Sequence, residues 1–161
     1  MAVLTAVLEV ACVTGLAAAL GVAAMTDLAR RIIPNGCVAV VAALGAARAA
    51  VRGTLPGAAL GALVVLAAML LAAAASECVS GRPGVGGGDV KLLAAAAIWT
   101  GPVLGLAVVG ASCLLGATGW AAMRLAGRLV GRGRTSEGIP LAPAVAIATL
   151  AAVLLGPLVV P

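Results

Sequence analysis

Two aspartates are the side chains of this sequence most suited to chemistry. Asp27 ends a long apolar run, and Asp89 follows three glycines and precedes a run of leucine and alanine. A carboxylate at the boundary between water and lipid is costly to place, so an acid in such a position predicts a functional site. The chain holds no other aspartate and no histidine. The absence of histidine excludes a Ser-His-Asp triad and the histidine-based zinc sites of metalloproteases.

Two carboxylates held close together suit general acid and base catalysis. They cannot both ionise cheaply, so the pair shares a proton. One member can take a proton from water while the other gives one to a carbonyl oxygen or a leaving amine, as hydrolysis of a peptide bond requires. Intramembrane acids also serve as proton relays in carriers. The residues alone therefore leave two functions open: an aspartic protease, and a non-catalytic membrane component such as a proton-linked carrier subunit.

The composition assigns the chain to the membrane. Of its 161 residues, 64% are hydrophobic and 9% are charged, which is far too apolar for a soluble domain. Apolar runs recur along the whole sequence, so we expect a single polytopic membrane domain over residues 1–161, with no nucleic-acid partner despite the net charge of +5. The four cysteines stand singly, without a C-x-x-C pair. The sequence therefore predicts no metal site and no cofactor.

The elements that must position the aspartates are membrane helices. A bilayer core about 30 Å thick needs roughly 20 apolar residues as helix. Long apolar runs predict spans over residues 3–25, 38–50, 58–75, 103–123 and 141–160. Between the third and fourth of these runs, a helix that starts at Asp89 is about 16 Å long before Thr100-Gly101-Pro102 predicts a turn. We expect an all-α fold of about six transmembrane helices, the fourth short and starting at Asp89.

The basic residues orient these helices. With a turn at Gly101, eight of the ten basic residues fall on one side of the membrane. These eight are Arg30, Arg31, Arg82, Lys91, Arg124, Arg128, Arg132 and Arg134. Arg48 and Arg52 fall on the other side, where Glu9 is predicted to be a solvated residue near the end of the first helix. Because basic residues concentrate on the cytoplasmic side of a membrane, both aspartates are predicted to face the cytoplasm.

Three segments of the chain resemble the motifs of one family. Asp27 followed by Arg30, Arg31 and Ile33-Pro34-Asn35 is similar to its first motif, an aspartate with basic residues and I-P-N. Residues 86–92, which read G-G-G-D-V-K-L, are similar to its G-x-G-D-x-K-L motif, and residues 138–144, which read G-I-P-L-A-P-A, to an I-P-x-x-P-A segment before the last helix. The chain resembles the type IV prepilin peptidases, membrane aspartic proteases of the GxGD group.

This resemblance implies cleavage of the leader peptide from type IV prepilin-like precursors at the cytoplasmic face of the inner membrane. Asp27 and Asp89 would be the catalytic pair, and Gly86 and Gly88 would shape the approach to Asp89. Lys91 is either a side chain that snorkels to the lipid headgroups or an electrostatic aid beside the site. The implied partners are the lipid bilayer and a precursor with a short basic leader.

Larger members of the family carry an additional domain with two C-x-x-C pairs and methylate the new N-terminus. This chain has no such pairs, so peptidase activity without methyltransferase activity is expected. The chain resembles the compact enzymes of tight-adherence (Flp-type) pilus systems and of archaeal preflagellin processing, and the sequence does not choose between them.

Overall fold

The computed structural model describes residues 2–81, 86–129 and 141–159, and every element in these ranges is a helix. The helices are α1 (Ala2–Arg30), α2 (Asn35–Val51), α3 (Leu55–Ser80), α4 (Gly87–Leu129) and α5 (Ala142–Val159). By length and composition α1, α3 and α4 could each cross a membrane, while α2 and α5 are shorter apolar helices. The described chain is therefore all-helical, as predicted, and consistent with a multi-pass membrane protein.

The first helix ends later than the sequence predicts. α1 runs through Arg30, so Asp27 lies in the last turn of the helix and not in the segment that follows the helix. The backbone N–H of Arg31 donates a hydrogen bond of 2.9 Å to the carbonyl oxygen of Asp27. Arg31 takes a left-handed conformation with a φ of 56°, which is a common way to end a helix. Pro34 then forms the N-cap of α2.

Glycine interrupts α4 where the sequence predicts a turn. Gly101 has a φ of 74° and a ψ of −174°, outside the helical region, and only glycine adopts such angles readily. An ideal Cβ on Gly105 would lie 3.5 Å from the Cα of Ala97, whereas eight residues of continuous helix would separate the two positions by about 12 Å. The chain therefore turns back at Gly101, and the parts of α4 before and after it pack against each other.

The third helix packs closely against this turn through a glycine. An ideal Cβ on Gly61 would lie 2.7 Å from the carbonyl oxygen of Ala97 and 2.7 Å from the carbonyl carbon of Gly101. These are backbone atoms, which cannot move aside as the tip of a long side chain can. Small residues that let helix backbones approach closely are typical of membrane helix interfaces. Gly61 is therefore needed for the packing of α3 on α4.

Replacing Gly61 with alanine is expected to destabilise the protein by about 1–3 kcal/mol, the usual cost of overpacking. Gly57 lies one turn earlier on α3, with open space where its Cβ would be, so Gly57→Ala is the matched control and should leave the stability within about 0.5 kcal/mol of wild type. Thermal unfolding of the detergent-purified protein measures both effects. A Gly61→Ala variant as stable as Gly57→Ala would contradict the close packing.

A charged cluster ties the helices together at the end away from Asp27. The Nε atoms of Arg48 and Arg52 both donate hydrogen bonds to the carboxylate of Glu9, Arg48 at 2.9 Å. The guanidinium of Arg48 also lies 5.5 Å from the centre of the Trp99 ring, and the indole N–H of Trp99 donates to the carbonyl oxygen of Val41 at 2.9 Å. The Glu9 side chain is 28% exposed and paired with two arginines, whereas the sequence predicted a solvated end residue without these partners.

Candidate active site

Asp27 contacts the start of the last helix. Its side chain is buried, with 7% of the residue exposed, and its Oδ2 accepts a hydrogen bond of 3.1 Å from the backbone N–H of Ala142. Ala142 is the first residue of α5, and Leu141 before it accepts the first bond of the helix from the N–H of Val145. The unpaired N–H groups at the N-terminus of a helix are a favourable environment for a negative charge.

A proline limits which backbone N–H groups at the start of α5 can bind Asp27. Pro143 follows it and has no N–H, so two of the first three residues of α5 carry a donor. The sequence singled out the segment 138–144 as a motif, but it did not predict the contact with Asp27. Residues 138–140 lie outside the described residues, while Leu141 precedes α5 and residues 142–144 are its first three.

Asp89 lies in the first turn of α4 and is partly buried. The carbonyl oxygen of Gly86 accepts hydrogen bonds from the N–H groups of Asp89 at 3.0 Å and Val90 at 3.2 Å, so Gly86 caps the helix. The carboxyl groups of Asp89 and Asp27 are close enough to interact electrostatically. The structure therefore brings the two aspartates together, from the last turn of α1 and the first turn of α4.

The glycines before Asp89 have different surroundings. A Cβ on Gly86 would lie 3.0 Å from Oδ2 of Asp89, so the glycine leaves room beside the carboxylate. A Cβ on Gly88 would lie 3.3 Å from the Cβ of Ile33, while Gly87 has open space around the same position. Because Ile33 belongs to the I-P-N motif, the contact with Gly88 packs the two motifs against each other. This packing helps to place Asp89 near Asp27.

Exposed basic side chains lie on the same helix ends as the aspartates. Arg30 and Arg31 follow Asp27, and Lys91 lies two residues after Asp89; all three are exposed. Lys91 makes no ion pair with any residue in the part of the chain that the structure describes. In the same residues, no three cysteine, aspartate or glutamate side chains cluster in a way that could hold a metal ion. The chemical groups present are thus two neighbouring carboxyls, with cations on the adjacent surface.

A comparison with protein-family models gives one match. The model described as the type IV leader peptidase family matches residues 14–121. This range covers about two thirds of the chain and contains Asp27, Asp89 and the three glycines before Asp89. The segment 138–144 lies beyond it. No curated protein and no solved structure matches the chain.

Proposed function

This chain belongs to the type IV leader peptidase family, as its motifs predicted, and from this premise we propose that it is an aspartic endopeptidase of the GxGD type. Its substrates are prepilin-like precursors, from which it removes a short basic leader. The observation that carries the proposal is that the carboxyl groups of Asp27 and Asp89 lie near enough to interact electrostatically. An aspartic protease needs two carboxyls that share a proton.

The surroundings of the two aspartates favour different roles for them. Asp27 accepts the N–H of Ala142 at the N-terminus of α5, where a negative charge is stabilised, so we assign it the role of general base. Two neighbouring carboxyls cannot both ionise cheaply, so we assign Asp89, which lies near Asp27, the role of general acid. Gly86 keeps space at its carboxylate.

The reaction then needs only water and these two groups. Asp27 takes a proton from water as the water oxygen bonds to the carbonyl carbon of the scissile peptide, and Asp89 gives its proton to the carbonyl oxygen. When the tetrahedral intermediate collapses, the C–N bond breaks and the leaving nitrogen takes the proton held by Asp27. A hydroxyl of the intermediate returns a proton to Asp89. Both aspartates thus return to their starting protonation states.

We assign the protein six membrane crossings, with the site at the cytoplasmic face of the inner membrane. The reversal at Gly101 supports two crossings within α4, the first of them short. Exposed Arg30, Arg31 and Lys91 lie at the end of the helices that carries the aspartates, where the positive-inside rule expects basic residues. The absence of C-x-x-C pairs supports peptidase activity without methyltransferase activity.

This topology predicts which loops can be labelled from outside the cell. After the natural cysteines are replaced, a cysteine at Thr54 is expected to react with a membrane-impermeant maleimide, and a cysteine at Ser136 is expected to react only after the membrane is opened. Thr54 is exposed between α2 and α3, which makes it accessible to the reagent. Labelling of both positions from outside would contradict the six-crossing arrangement.

The full-length protein in liposomes tests the proposed function. Mixed with a precursor that carries a basic leader before an apolar helix, it is expected to release the leader without any added cofactor. The same liposomes report on the alternative: a proton-linked carrier subunit changes the signal of a pH-sensitive dye, whereas a pilus-assembly scaffold gives neither cleavage nor a dye signal. Proton flux that depends on the aspartates, with no cleavage of any such precursor, would overturn the peptidase.

A further inference from the structure

An apolar groove opens beside Asp27. It has a volume of about 230 Å³, and its lining includes Leu28, Gly119, Trp120, Met123, Pro143 and Ile147. Three helices contribute, namely α1, the second half of α4, and α5. The groove thus lies between helices that are distant in sequence, and no polar side chain other than the Trp120 indole lines it.

One end of the groove adjoins the groups that hold the catalytic carboxylate. Leu28 directly follows Asp27, and Pro143 directly follows Ala142, whose N–H holds Asp27. Leu28, Met123 and Ile147 are well exposed, so the groove is open at the side. Because these exposed side chains are apolar, this open side would face lipid in a membrane.

The floor of the groove suits a helix better than an isolated acyl chain. Gly116 and Gly119 both line it, and small residues let another helix approach closely. A Cβ on Gly119 would meet open space. The Trp120 ring also lines the groove, and the guanidinium carbon of Arg124 lies 4.2 Å from the centre of this ring. The positive charge of Arg124 therefore lies at the edge of the groove, at the same helix ends as Arg30 and Arg31.

We propose that this groove docks the first turns of the apolar helix that follows the cleavage site of the substrate. The inference rests on the proposed function and adds a substrate-binding surface to it. An apolar helix seated here would bring the peptide bond just before it next to Asp27 and Asp89. A basic leader does not suit the groove, because the lining is apolar.

Two glycine substitutions on the same half of α4 test the proposal. Gly119→Leu fills the groove, and Gly110→Leu is the matched control, since Gly110 also has open space around its Cβ position and lies outside the lining. Each variant is assayed in liposomes with two substrates. One is the full-length precursor, and the other is a short peptide that spans the cleavage site and lacks the apolar helix.

Gly119→Leu is expected to raise the KM for the full-length precursor at least tenfold with little change in kcat, and to cleave the short peptide as wild type does. Gly110→Leu should match wild type on both substrates. A Gly119→Leu variant with an unchanged KM for the precursor would mean that only lipid occupies the groove. Equal loss on both substrates would show distortion of the site and would also overturn docking. If the wild type cleaves neither substrate, the proposed function fails first.

Discussion

Replacing either Asp27 or Asp89 with asparagine is expected to abolish leader cleavage, with kcat lowered roughly 100- to 10,000-fold, the usual contribution of a general acid or base. Asparagine keeps the shape of the side chain but can neither take a proton from water nor give one to the carbonyl oxygen. Because the two carboxyls act as one unit, the double variant should be no slower than the slower single variant. Single-turnover cleavage in isolated membranes, normalised to the amount of protein, measures the effect.

The matched control for these variants is Glu77→Gln. Glu77 lies near the end of α3 and is exposed, so this substitution removes a carboxylate without touching Asp27 or Asp89. It is expected to leave kcat within a factor of two of wild type. Substantial cleavage by either aspartate variant, with the protein accumulating normally, would rule out the two-aspartate mechanism.

Replacing Ala142 with proline is expected to lower kcat roughly 10- to 100-fold with little change in KM. Proline removes the N–H that Asp27 accepts, and a hydrogen bond to a charged group is worth about 1.5–3 kcal/mol. Its ring also occupies the space where the Asp27 carboxylate now approaches. The first position of a helix tolerates proline well, and Leu141 before it is not helical, so α5 itself should form normally.

Ala142→Gly serves as the control because it keeps the N–H and removes only a methyl group. The cleavage rate of this variant should stay close to wild type, although the buried position predicts some loss of stability. The comparison of KM and kcat separates positioning of Asp27 from a general structural defect, which would reduce the amount of active protein. If Ala142→Pro cleaved at the wild-type rate, the contact with α5 would have no catalytic role.

Local features of the fold could be predicted from the sequence. Asp27, Asp89 and the turn at Gly101 are each marked by residue types that interrupt an apolar run. In a membrane chain, a charged residue at such a position predicts a functional site, and a Gly-Pro pair predicts a break in the helix. The helix ends were predicted less accurately. α1 and α3 each extend about a turn beyond the predicted runs, because a helix continues past the hydrocarbon core until a residue such as Arg31 or Gly81 ends it.

Contacts between helices could not be predicted in the same way. A helix that is apolar on all sides, as α3 and α5 are, gives no periodic pattern from which the inward face can be read. The contact between Asp27 and Ala142 joins residues 115 positions apart. Its donor is a backbone N–H, which nearly every residue has, so the type of side chain at position 142 does not predict it. Likewise, Glu9 pairs with Arg48 and Arg52 through a relative rotation of α1 and α2 that the sequence does not encode in any simple pattern.

The bond between Asp27 and Ala142 also sets an order of assembly. The ribosome delivers α1 to the membrane first and α5 last among the described helices, so a nascent chain possesses both carboxyls well before the donor that holds Asp27. We expect a chain that stops after α4 to insert and yet remain inert toward its precursors. Proteolytic competence would then arise only once α5 has joined the other helices.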